Sequence, residues 1–74
     1  MTRLPRITGL KLVAALRKAG FIVLCIKGSH HFLQHPDGRL TIVPVHRGET
    51  LGPGILSQIL HDCEITPEEL RELL

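Results

Sequence analysis

A chain of 74 residues with 43% hydrophobic and 22% charged side chains is a single small domain, 1–74, that folds by itself, and its composition excludes disorder. Its longest unbroken apolar run, Phe21 to Ile26, is six residues, far below the roughly 18–20 of a membrane-spanning helix. Net charge is +2, yet residues 1–47 carry eight Lys/Arg against Asp37 alone (+7), while residues 48–74 carry Arg71 against six acids (−5), a polarity that points to a polyanion partner on one face.

The opening MTRLPRITG is basic but has no apolar h-region and no small-residue cleavage site, so a cytoplasmic chain is expected. Thr8 then precedes GLKLVAALRKAG, a run of helix formers closed by Gly20, which predicts a first helix. Leu12, Val13, Leu16 and Ala19 recur on one face of it, and Lys11 and Lys18 share another stripe.

Phe21 to Ile26 reads as a strand buried on both faces or nearly so. Gly28-Ser29 supplies a turn, after which His30, Phe32 and Gln34 alternate with His31, Leu33 and His35. Neighbouring histidines on one strand cannot share a face. Pro36-Asp37-Gly38 is a hairpin turn into a third strand, Arg39 to Val43, ending near Pro44.

After the loop HRGETLGPG, Ile55, Leu56, Ile59, Leu60 and Cys63 recur at helical spacing. Thr66-Pro67-Glu68-Glu69 is a capping box that opens a short last helix through Leu74. The order predicts an α+β sandwich, α-β-β-β-α, a three-stranded antiparallel sheet with its helices on one face, the layout of a double-stranded RNA-binding domain. Cys25 and Cys63 each sit in an apolar pattern and are expected to be buried free thiols in a reducing compartment. Phe32, without any Tyr or Trp elsewhere, is expected in the core and cannot build a multi-aromatic stacking platform.

The stretch KGSHHF, residues 27–32, concentrates the chemistry. A metal site is not expected. His31 and His35, four apart on a strand, are separated by about 13 Å, and the chain has no CxxC or HExxH. A Ser29 nucleophile lacks the G-x-S-x-G elbow.

A general acid/base imidazole acting on RNA needs less, because ribose carries its own nucleophile, the 2′-OH. His30 next to Lys27 and to the backbone amides of Gly28 and Ser29 would supply such a set, with Lys11 and Lys18 as further phosphate contacts. The competing reading makes His30 an ordinary half-exposed strand residue. His35 and His46, at strand ends, are expected to cap loop backbone, and His61 to lie on a helix surface.

KGSHHF, HPDGR, VPVH with Gly48, and LGPGILSQIL, in this order, resemble the HicA family, the small toxins of bacterial toxin-antitoxin pairs. The resemblance covers nearly the whole chain. It implies an mRNA interferase with the double-stranded RNA-binding-like fold, active without metal or cofactor and silenced by a HicB antitoxin. It places the catalytic histidine of the glycine-serine motif on His30, and on His31 in members whose histidine is shifted by one place. Two rivals come from other classes: a non-catalytic RNA-binding module gripping A-form backbone, and a pure protein-interaction domain.

Overall fold

Thr8 opens the first helix as its side chain dictates. Its hydroxyl accepts from the Lys11 amide at 3.3 Å, and α1 runs Gly9–Lys18 in the computed structural model, which describes residues 4–74. The chain then turns at Gly20, whose φ of 103° suits a residue without a Cβ. Three strands follow, β1 (Ile22–Lys27), β2 (His30–Gln34) and β3 (Leu40–Pro44), then α2 (Pro53–Cys63) and α3 (Pro67–Leu73).

The strands form one antiparallel meander in the order β1-β2-β3. The expected α+β layout is therefore present. Gly28, at φ 59°, takes the first position of the two-residue β1–β2 turn. At the β2–β3 turn the Gly38 amide donates to the His35 carbonyl, and the His35 amide donates to the Arg39 carbonyl, both at 2.8 Å. The capping box at α3 is complete, with Thr66 and Glu69 each bonding the other's backbone amide.

The core lies between the sheet and the helices. Leu12 and Leu16 of α1, Leu56 and Cys63 of α2, and Leu70 of α3 are fully buried together with Leu33 and Val43 of the sheet. Each of these leucines, and Val43, contributes about 1.5–3 kcal/mol by leaving water. Alternation along β2 and β3 sends Leu33, Thr41 and Val43 inward, and the buried Thr41 hydroxyl finds Asp62 Oδ2 at 3.3 Å.

Several sequence expectations are corrected by this layering. β1 is not buried on both faces: it is an edge strand, and Ile22, Leu24 and Ile26 are 57%, 55% and 57% exposed. The helices cover only one face of a three-stranded sheet, which leaves an apolar edge and an apolar outer face open. For the same reason Cys25 is exposed while Cys63 is buried, and Phe32 is half-buried on the outer face instead of sitting in the core. Ile55, expected on the buried stripe of α2, is also exposed.

Candidate active site and nucleic-acid interface

The register of the two hairpins decides what surrounds the histidine pair. In the β1–β2 ladder Val23 pairs with Leu33, but the next partners are Cys25 and Phe32, so Leu24 is an extra residue, a β-bulge. The bulge reverses the inside-outside phase of the strand beyond it. Val23 can therefore face the core while Lys27, set opposite His30 by the two-residue Gly28-Ser29 turn, lies on the open face; on its other side His30 faces Pro44 of β3.

On that open face the Lys27 ammonium sits 5.6 Å from the centroid of the Phe32 ring, close enough for a cation–π contact. His30 is exposed beside it. Gly28 and Ser29 form the turn that joins the two strands, and no atom lies within 4 Å of where a Gly28 Cβ would stand, so the turn's backbone is open to a ligand.

His31 points the other way. It pairs with Ile26 and Val43, is half-buried on the helix-facing side, and its Nδ1 is buried without a hydrogen-bond partner. α1 begins at this same end of the sheet, where Gly9 abuts the Pro44 carbonyl and the Val45 backbone. The Val45 amide donates to the Ser29 carbonyl at 2.7 Å, so the exposed His46 and Arg47 leave the sheet next to the turn. Sequence reasoning did not place Arg47 at the site. The signal was available in the VPVH run, because a meander returns the end of its third strand to the start of its second.

Lys11 and Lys18 do not join this group. They line one groove with Ile7, Ala14, Leu73 and Leu74 in the helical layer, and the Lys18 ammonium donates to the Leu73 carbonyl at 3.2 Å. The sheet stands between them and the Lys27–His30 face.

The remaining histidines are accounted for at the far end or on the surface. His35 Nδ1 accepts from the Asp37 amide at 3.2 Å, and its ring meets Phe21 edge-on at 5.1 Å, a structural role as expected. Arg39 binds Asp37 at 2.8 Å, lies 5.2 Å from the Phe21 centroid, and donates to the Cys63 carbonyl at the end of α2. Asp37 is held below the usual carboxylate range, first by the hydrogen bond from the Arg39 amide and then by its guanidinium. His46 is exposed and, contrary to expectation, its ring caps no backbone group among the described residues; His61 is exposed as expected.

Among the described residues no group of three or more His, Cys, Asp or Glu could hold a metal ion, and no helix is long and apolar enough to cross a membrane. The arrangement offers an accessible imidazole, a neighbouring ammonium and an open glycine turn, groups suited to proton transfer next to a phosphate.

No curated protein matches the chain at a significant level. The family model described as "HicA toxin of bacterial toxin-antitoxin" matches residues 9–65, a span that takes in α1, the whole sheet, α2 and the histidine pair. The chain belongs to the HicA toxin family of bacterial toxin–antitoxin systems.

Proposed function

We propose that this protein is an endoribonuclease that cleaves mRNA in the cytoplasm without metal or cofactor, and that a HicB-type antitoxin protein silences it. The observation that carries the reading is the exposed His30 in direct register with Lys27 beside the open Gly28-Ser29 turn. A base at that position would take the proton from a ribose 2′-OH as its oxygen attacks the adjacent phosphorus. Lys27 and the turn amides would hold the phosphate oxygens as negative charge builds on them. The 5′-oxygen leaves with a proton from an acid, the imidazolium or water, and a 2′,3′-cyclic phosphate remains.

A second assignment keeps the reaction and moves the proton carrier to His31. What favours it is the buried Nδ1, the one buried side-chain polar atom without a partner among the described residues, since an orphaned polar atom calls for a role that packing does not supply. Cleavage of a labelled RNA by the parent, His30→Ala and His31→Ala proteins, alongside growth arrest on expression of each, tests both. Loss confined to His30→Ala supports the first assignment, loss confined to His31→Ala the second. A parent protein that leaves RNA intact would overturn the nuclease reading.

A further inference from the structure

We propose that the free edge of β1 receives an extended polypeptide segment of another protein as a fourth strand, and that this segment is apolar at alternate positions and acidic at both ends. β1 pairs only with β2, so the backbone groups on its outer side have no partner in the sheet. Edges of this kind are normally blunted by charge, by proline, by a bulge or by cover. Of these devices this one has only the bulge at Leu24 and a charge at its very end. Ile22, Leu24 and Ile26 are more than half exposed, the strand contains no proline, and its single charge, Lys27, stands at the last position. The bulge at Leu24 bends the strand without charging it. The opposite edge differs, since β3 runs beside α2 and Thr41 is tied to Asp62 across that boundary.

The edge also leads into a wider apolar surface. Ile22 is followed across the open face by Leu40 and by the exposed Ile42 next to Phe32. An added strand would shield the Ile22 margin of this patch, and unpaired strand edges of this type are the sites at which extended peptides add to a sheet.

Charge selects the occupant. Arg17 is exposed and lines one recess with Phe21 and Ile22 at the start of the strand, and Lys27 stands at its end. Asp37, in the β2–β3 turn that follows Ile22's partner Gln34, is already held by Arg39. A second copy of this chain pairing antiparallel about a two-fold axis would bring Lys27 of each copy to the Arg17 end of the other, like charge against like charge at both ends. A segment with an acid at each end meets both cations instead.

The test uses two synthetic peptides with the same alternating Val/Thr core, one flanked by Glu and one by Lys, and reads amide hydrogen exchange of β1 in the full chain. The Glu-flanked peptide at about 1 mM should slow exchange in Leu24–Lys27 by about tenfold, as a Kd near 0.1 mM requires. The Lys-flanked peptide should not. The Leu24→Lys/Ile26→Lys protein, changed only at exposed positions, should keep its unfolding transition and lose the protection. Arg17→Glu/Lys27→Glu should reverse the preference between the peptides. Absence of protection by either peptide, or equal protection by both, would overturn the proposal. So would a dimer of the parent, seen in sedimentation, that Leu24→Lys/Ile26→Lys dissolves, because the edge would then be occupied by a second copy.

Discussion

Lys27 and His30 face each other across the β1–β2 hairpin on the open side of the sheet, while His31, the next residue, turns toward the helices. The two-residue Gly28-Ser29 turn creates the first relationship, and strand alternation enforces the second. One imidazole is therefore available to a large substrate beside a cation, and the other is half-enclosed.

This separation makes the two histidines distinguishable by experiment. His30→Ala should reduce RNA cleavage by about 100- to 10,000-fold, the range of general acid/base catalysis, while thermal unfolding is nearly unchanged. His31→Ala should leave most activity but lower stability by about 1 kcal/mol through lost packing. His31→Leu, which fills the space without the unpartnered nitrogen, should be at least as stable as the parent. If His31→Ala alone abolishes cleavage with its fold intact, the proton carrier is His31.

RNA binding that rests on phosphate contacts should weaken steeply with salt, each contact adding about 0.7 to the slope of log affinity against log salt for single strands. Lys27→Ala should lower that slope by about one contact's worth. Lys18→Ala should lower it less, since the Lys18 ammonium is engaged with the Leu73 carbonyl. A flat salt response in the parent would remove the polyanion reading. Cleavage should persist in EDTA, and loss restored by a divalent ion would reveal a metal requirement.

Gly9 gives a stability prediction whose sign runs against propensity. Glycine to alanine inside a helix ordinarily stabilises by up to about 1 kcal/mol. Here a Cβ on Gly9 would press on the Pro44 carbonyl and stand 3.0 Å from Val45 Cα, both backbone atoms that cannot swing aside. Gly9→Ala should therefore destabilise by about 1–3 kcal/mol in denaturant unfolding. A neutral or stabilising result would mean that α1 does not lie this close to the end of β3.

The two cysteines should differ in reactivity. Burial raises the Cys63 thiol to about 11, with Thr41 hydrogen bonding acting against the shift, whereas Cys25 lies exposed on β1. Because the thiolate is the reactive form, a maleimide at neutral pH should label Cys25 in the native protein and Cys63 only after denaturation. Rapid native labelling of Cys63 would show that α2 opens readily from the sheet.

Local chemistry was legible residue by residue. Thr8 and Thr66 announce the starts of α1 and α3, Gly28-Ser29 and Pro36-Asp37-Gly38 announce the hairpin turns, and period-two alternation by itself places His30 and His31 on opposite faces. These signals are local because a cap, a turn or a strand face is set by residues within a few positions of one another. The order of elements followed, and with it the α+β layout.

Burial and side-chain company were decided only in three dimensions. An apolar run such as Phe21 to Ile26 reads the same whether a second layer covers it or not, and here only its first residue, Phe21, is buried; the helices pack on the other side of the sheet and leave β1 as an edge. The Leu24 bulge has no signature in single residues, yet it lets Val23 face the core while Lys27 lies on the open face. The sheet, in turn, separates Lys27 from Lys11 and Lys18, which composition had grouped as one basic half. Propensity and pattern act over one turn or one strand, whereas the neighbours of a side chain depend on how whole layers share one small core, and that sharing is a property of the folded chain.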